Sequence, residues 1–395
     1  MTPAARISAA IEVLDQVFDG LAAEQALSRW ARGARFAGSK DRAAVRDHVF
    51  QALRCRRSYA AMGGGEDGRS VMIGGLREQG VDPATLFTGE GHAPRALTGA
   101  EMVVREPEIS QADTADLPDW VWSLFQQDLG QDAMAQAVVL RGRAPIALRV
   151  SHRMKTTQQA IEMLSVDGVE ANPAPGCDTA LIATQGARRI RQSQAYLTGV
   201  VELQDVSSQS AMARIRLAPG ARVLDYCAGG GGKTLALAAM ATQDGRPTQF
   251  FAHDADPRRM VDLPARAARA GVDVTRLHSD GVGRHAPFDL VLCDVPCTGS
   301  GTWRRTPDAK WRLTQGGLDK LIEIQQDILR TACGLVGPGG RLVYTTCSIL
   351  ARENMDQVEA FRQAHPSAFD LEDHIQIPVS DTSDGFFFAS LVRKA

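Results

Sequence analysis

Two cysteines and an aspartate stand in settings that suit covalent chemistry. Asp294-Val295-Pro296-Cys297-Thr298-Gly299-Ser300-Gly301 and Thr345-Thr346-Cys347-Ser348 each close an apolar run that reads as a strand, Phe288–Cys293 and Arg341–Thr346. A thiolate is a strong nucleophile and a carboxyl group can hold or move a proton. Asp294, Cys297 and Cys347 could therefore add to an electron-poor ring and later release it. A free cysteine is more commonly an inert buried hydrophobe, which suits Cys55, Cys177, Cys293 and Cys333. The seven cysteines are odd in number and widely spread, with no C-x-x-C and no paired Cys/His spacing. That argues against a disulfide framework and against a metal site, and fits reduced thiols in a cytoplasm.

A glycine loop lies upstream, Asp225-Tyr226-Cys227-Ala228-Gly229-Gly230-Gly231-Gly232-Lys233-Thr234, after the strand-like run Arg222–Cys227. It fails the phosphate-binding loop, which needs glycine where Cys227 stands. It fails the dinucleotide pattern, because G-x-G-x-x-G begun at Gly229 meets Thr234. It does fit D-x-x-x-G-x-G (Asp225, Gly229, Gly231), the loop of Rossmann-like methyltransferases. There glycine lets backbone approach the amino-acid end of S-adenosylmethionine without Cβ obstruction. Asp254 follows the next strand, 23 residues past Gly231, and suits the two ribose hydroxyls. Asp280 follows the third strand and is placed for the adenine amino group. Any one of these acids could simply cap a turn; together, each after its own strand, they favour a cofactor.

A methyl donor gives the trio a use. C5 of cytosine is too weak a nucleophile to take a sulfonium methyl. A thiolate adding to C6 makes C5 enamine-like, and a carboxyl group on N3 and the exocyclic amine assists the addition. The C5 proton must then leave and the enzyme thiol must be eliminated, which gives a second thiol work.

These residues need a scaffold. From Gly220 onward strands and helices alternate: helix Lys233–Gln243, strand Gln249–His253, helix Arg258–Ala270 bent at Pro264, strand Val272–Leu277, helix Leu318–Val336. A turn at Gly337–Gly340, helix Asn354–Ala364 and strand Phe386–Val392 complete the series. This is the α/β pattern of a doubly wound, mostly parallel sheet, which binds ligands beyond the carboxyl ends of its strands. The first 135 residues or so read as helices, with Ile7, Ala10, Ile11, Leu14, Val17 and Phe18 at helical spacing and Ser39 as an N-cap. Ile146, Leu148 and Val150 alternate as a strand, Thr156–Leu164 as a helix, and Thr179–Thr184 and Gly199–Gln204 as strands, a small α+β segment. The expected domains are 1–135, 136–203 and 204–395.

At 395 residues, 44% hydrophobic and 23% charged, the chain is globular. The amino terminus, with Glu12, Asp15 and Asp19, makes a poor signal peptide, and no run of about 18 apolar residues exists. The net charge of −2 conceals blocks. Nine Lys/Arg stand against two acids from Arg29 to Arg57, thirteen acids against four arginines from Tyr59 to Asp132, and eight Lys/Arg against four acids from Arg141 to Arg191. Basic blocks are solvated faces or a nucleic-acid surface.

At these motifs the chain resembles the RsmB-like (Sun/Fmu) family of RNA cytosine-5 methyltransferases. The family loop D-x-C-A-x-P-G-G-K-T is approximated by Asp225–Thr234. Its D-A-P-C-S-G-x-G-x-x-R-R-x-P-D-x-K-W is matched by Asp294–Trp311, and its L-V-Y-x-T-C-S-x-x-x-x-E-N by Leu342–Ser348 with Glu353 and Asn354. The closing D-G-F-F-x-A is matched from Asp384 to Ala389, and Q-D-x-S-S-Q by Gln204–Gln209. Ser39–Arg46 is similar to a NusB-type helical domain that some members carry. The resemblance implies a Rossmann-like class I methyltransferase sheet, an all-α NusB-like front domain and a small α+β segment between them. It implies Cys347 as nucleophile on C6, Cys297 in product release, Asp294 on the base, and Lys233 near the pocket. Cofactor contacts would come from Asp225, Cys227, Ala228, Gly229, Gly230, Gly231, Gly232, Lys233, Asp254, Asp280 and Asp294. The substrate would be RNA, 16S rRNA foremost, with a cytoplasmic monomer as the acting species. Arg304, Arg305, Lys310 and Trp311 could grip phosphates and stack bases. One departure is Gly230, which stands where the family loop has proline, so the free loop loses a fixed φ. The alternatives are an RNA-binding assembly factor with little activity, or a tRNA cytosine-5 methyltransferase. A DNA cytosine methyltransferase would use the Pro-Cys thiol as nucleophile and lack Cys347.

Overall fold

The computed structural model describes residues 1–103, 109–241 and 246–394. Its chain divides into two compact units, Met1–Arg143 with Thr302–Thr314, and Ala144–Gly301 with Gln315–Ala395.

The first unit is helical. Helices α1 (Pro3–Phe18), α2 (Ala23–Gly33), α3 (Ser39–Arg54), α4 (Arg56–Gly63) and α5 (Gly68–Glu78) bury the stripe that the spacing predicted. Ile7, Ala10, Val13 and Leu14 of α1 share one core with Val45, Val49 and Leu53 of α3 and with Val71 and Ile73 of α5. Thr2 caps α1 by accepting from the Ala5 N–H at 3.1 Å, with Pro3 in the first turn. The expected N-cap of α3 is corrected by one residue: Gly38 is the cap and Ser39 the first helical residue.

Residues 302–314 pack into this helical unit. Trp303 stacks on Phe125 with ring centroids 6.0 Å apart. Arg54 donates to the Arg304 carbonyl at 2.7 Å, Lys310 Nζ to the Arg54 carbonyl at 2.9 Å, and Trp311 Nε1 to the Leu53 carbonyl at 2.7 Å. Arg304 and Lys310 are each 1% exposed, and Trp311 lies half-buried against the helical core. The expectation that Arg304 and Lys310 grip phosphates is therefore corrected: these two side chains are spent inside the protein. Burial pulls the Lys310 ammonium down to about 8, against the opposing pull of Asp116. Arg305 alone of the four is exposed.

The second unit carries two sheets. The smaller, ordered β2-β3-β1-β4, consists of β1 (Ile146–Val150), β2 (Glu170–Pro173), β3 (Ala180–Gln185) and β4 (Val201–Leu203), all antiparallel. Strand β2 was not anticipated. The larger has order β10-β11-β9-β8-β5-β6-β7. Its strands are β5 (Arg222–Asp225), β6 (Gln249–Ala252), β7 (Val274–Arg276), β8 (Phe288–Asp294), β9 (Val336–Thr346), β10 (Phe369–Ile377) and β11 (Phe386–Arg393). Strands β9, β8, β5, β6 and β7 pair in parallel, while β11 and β10 are antiparallel.

Three local expectations change. The helix expected at Lys233–Gln243 runs Gly232–Met240, and its last two residues lie outside the described residues. The segment from Arg258 is a short 3-10 turn, Pro257–Met260, then a helix from Leu263 that takes Pro264 into its first turn. Gly337–Gly340 is no turn before a strand but a wide bulge inside β9: Phe288 pairs with Val336 and Leu290 already with Arg341.

The expected break at 203/204 is not a division between compact units. Gln209, 2% exposed, donates to the Leu148 carbonyl of β1 at 3.2 Å and accepts from Thr179 Oγ1 at 2.8 Å. Arg149 of β1 donates to Gln204 Oε1 at 2.6 Å. The Gln204–Gln209 motif thus staples the smaller sheet to the start of the larger one.

Candidate active site

Parallel pairing forces the loops after β5, β6, β7, β8 and β9 to one edge of the sheet, and the predicted chemistry sits in those loops. Gly229 and Gly231 carry φ of +50° and +76°, left-handed values that favour glycine. A Cβ on Gly231 would meet Leu263 Cδ1 at 2.1 Å. Asp254, 3% exposed, accepts from the Gly229 N–H at 2.9 Å and ties the loop to the end of β6. Gly230 is braced through its carbonyl, which accepts from Arg266 Nη1 at 2.5 Å, while Arg266 pairs at 3.0 Å with the buried Glu202. Arg266 thus supplies a restraint where the family loop has proline.

Asp225 at the end of β5 is 1% exposed and accepts from Thr234 Oγ1 at 2.7 Å. Its other oxygen has no protein partner. Burial, with Asp294 nearby adding to it, pushes its carboxyl up to about 6. A buried carboxylate oxygen without a partner beside a backbone cradle fits a cationic ligand, as the ammonium or sulfonium of S-adenosylmethionine would be. Cys227 is pushed up by burial and by the carboxylates of Asp225, Asp294 and Asp254, so it stays a thiol. Asp280 is exposed, one residue past Ser279, whose hydroxyl lies 2.9 Å from His253 Nε2. His253 also bonds the Tyr226 carbonyl at 2.8 Å and stacks on the Tyr226 ring, linking the loops after β5, β6 and β7. Sequence reasoning passed over His253, Arg266 and Glu202, whose partners lie far away in the chain.

The loops after β8 and β9 meet. Cys297 Sγ and Cys347 Sγ are 3.4 Å apart. Asp294 accepts from Lys233 Nζ at 2.6 Å through one oxygen and from Thr345 Oγ1 at 3.1 Å through the other. Burial works against the Lys233 charge, but Asp294 and the Cys347 sulfur outweigh it and hold the ammonium protonated. Its hydrogen bond to Cys347, followed by burial and the charges of Cys347 and Glu353, pushes the Cys297 thiol well upward. Among the described residues no group of His, Cys, Asp and Glu is arranged to hold a metal ion.

A seven-stranded sheet with a glycine loop after β5 and acids after its neighbours defines a class I methyltransferase, here with two thiols beside the donor site. Comparison with known proteins narrows the class. The family model for 16S rRNA methyltransferase RsmB/F matches residues 212–392, and that for the RsmF/B-like ferredoxin-like domain matches 117–188. Ribosomal RNA small subunit methyltransferase B of Xanthomonas campestris is 34% identical over 73% of this chain and 69% of its own. Its namesake from Klebsiella pneumoniae is 31% identical over 70% of this chain and 66% of its own, so the chain spans about two thirds of these relatives. In fold, a methyltransferase homolog from Pyrococcus horikoshii overlays on 72% of this chain and 98% of its own with a TM-score of 0.60 at 24% identity. The chain belongs to the RsmB/F family of rRNA methyltransferases, and S-adenosylmethionine is its cofactor.

Proposed function

We propose that this methyltransferase acts on C5 of a cytosine in 16S rRNA through a covalent Cys347–C6 adduct that Cys297 helps to resolve. The observation that carries the reading is the 3.4 Å approach of two thiols beside the Lys233–Asp294 pair. When bound, S-adenosylmethionine supplies the methyl group. Asp225, the Gly229–Gly232 backbone, Asp254 and Asp280 would hold it.

The Lys233 ammonium favours negative charge on Cys347, and a hydrogen bond donated by the Cys297 thiol, 3.4 Å away, would favour it again. The Cys347 thiolate adds to C6. Asp294 accepts from the exocyclic amine and relays a proton from the Lys233 ammonium, 2.6 Å away, to N3 as electron density reaches the ring. After methylation the C5–H and C6–sulfur bonds break: Cys297 gives its proton to the departing Cys347 sulfur and, so ionised, takes the C5 proton, while the N3 proton returns through Asp294 to Lys233. An unstacked base is required, so the target cytosine is single-stranded or flipped out.

The test is labelled-methyl transfer to unmodified 16S rRNA. Cys347→Ala should abolish transfer, and undiminished methylation would overturn the assignment. Cys297→Ala should accumulate an enzyme–RNA adduct that survives a denaturing gel; free enzyme alone after active turnover would remove its release role.

A further inference from the structure

The structure points to a further residue behind the two thiols, Glu353. It is fully buried and sits in the short turn Ala351–Glu353 that follows the Cys347 loop. One carboxylate oxygen accepts from the Thr298 N–H at 2.8 Å and from Gln325 Nε2 at 3.1 Å. The other accepts from Thr298 Oγ1 at 2.5 Å and from Ser348 Oγ at 2.6 Å. Thr298 is the residue after Cys297, and Ser348 is the residue after Cys347. A single carboxylate therefore holds the neighbour of each thiol, from the same side.

The surroundings strengthen the clamp. Gln325 donates to the Pro296 carbonyl at 3.0 Å, and Tyr344 Oη to the Glu353 carbonyl at 2.6 Å. Ser300 Oγ lies 2.8 Å from Ser348 Oγ, and Gly301 N–H donates to the Cys347 carbonyl at 3.0 Å. Next to Glu353, Asn354 accepts from Thr346 Oγ1 at 2.5 Å and donates to the Ser348 carbonyl at 2.9 Å. Four donors thus fill both oxygens of the buried carboxylate, two of them from Thr298. The Glu353 carboxylate adds to the upward push on the Cys297 thiol, whereas the cation Lys233, paired with Asp294, is the charge that the Cys347 sulfur acts on.

We propose that Glu353 is a positioning residue that assigns the two sulfurs their roles: it sets their spacing and keeps Cys297 the proton holder while Cys347 attacks. This rests on the two-cysteine reading above, and its test is therefore made on the free protein, without RNA or cofactor. The probe is iodoacetamide under pseudo-first-order conditions at pH 7.5, with the rate at each cysteine read by peptide mass spectrometry. In the parent chain Cys347 should react at least about tenfold faster than Cys297, the ratio one pKa unit supplies. Glu353→Gln keeps the shape and removes the charge, and should narrow that ratio to about threefold or less. In turnover it should lower kcat while the KM for S-adenosylmethionine stays within about twofold.

A role in stability alone would speed both cysteines together and leave the ratio unchanged. An unchanged ratio in a folded Glu353→Gln protein overturns the proposal, as does a parent chain in which Cys297 reacts first. Should Glu353→Gln fail to fold, Thr298→Val removes only the Oγ1 tie, and must itself narrow the ratio or the proposal falls. Retained methylation in Cys347→Ala would instead overturn the cytosine-5 reading, whatever the alkylation ratio.

Discussion

The chemistry of the site rests on groups kept away from their ordinary protonation. Asp225 shows this most clearly. Its carboxyl titrates near 3.8 in an unfolded chain and is pushed up to about 6 by burial in the fold. The unfolded chain therefore releases this proton first, and the protein loses stability as pH rises from about 4 to 6. A cationic ligand on the unpartnered oxygen reverses that burden by favouring the charged carboxylate. Cofactor affinity should fall about tenfold between pH 7.5 and pH 5, where roughly a tenth of Asp225 is ionised. Isothermal titration at both values reads this, and Asp225→Asn should flatten the dependence while weakening binding throughout. A tenfold drop that persists in Asp225→Asn would assign it to another group.

Elements, rather than single residues, decide what the glycine loop tolerates. Gly231 has a left-handed φ, and its Cβ would fall 2.1 Å from Leu263 Cδ1. Gly230 has no such φ, and its Cβ would lie 2.9 Å from Arg266 Nη1, the far end of a flexible side chain. Gly231→Ala should therefore weaken S-adenosylmethionine by at least about tenfold, consistent with ~1–3 kcal/mol of backbone strain. Gly230→Ala should stay within about threefold. Equal losses in the two variants, measured by equilibrium binding, would refute this account. The loop composition alone did not separate these glycines, because their difference lies in what the helix Leu263–Arg269 and strand β4 bring against them. Conversely, β10 was legible and overlooked: Phe369, Leu371, Ile375 and Ile377 stand at alternate positions broken only by Asp373, and these positions are the less exposed ones.

At the scale of the molecule, the two units share a chain that passes between them three times. Residues 302–314, part of the longest motif, are core of the helical unit. Arg304→Ala should cost that unit about 3 kcal/mol, the usual toll for emptying a buried charged site, visible as a lower melting temperature. A variant with unchanged melting and weakened RNA binding would restore the discarded phosphate contact. The basic tract from Arg29 to Arg57 is likewise partly consumed. Arg46 pairs with Glu24, Arg54 is buried, and Arg57 bonds Asp113 and Asp119. Arg29, Arg32, Arg35 and Lys40 remain exposed. Replacing those four with glutamine should flatten the slope of log affinity against log salt by about 3 for single-stranded RNA, if each neutralises one phosphate. An unchanged slope would place the RNA on another surface.

Local residue pattern was enough for most of the alternation of strands and helices, for the sheet edge that carries the loops, and for the place of Asp294, Cys297 and Cys347 on that edge. It sufficed because these are local matters: hydrophobic period, glycine spacing, and a motif read as one run. Packing, not pattern, buries Lys310 and Arg304, brings Arg266 to Gly230, and lets Glu353 hold both thiol loops. Each of those depends on partners brought together by folding: Arg54 and Lys310 are 256 residues apart, Arg266 and Gly230 are 36, Thr298 and Glu353 are 55. A charge in a sequence carries no sign of whether water or a carbonyl will meet it. Burial decides that, and burial is a property of the packed chain.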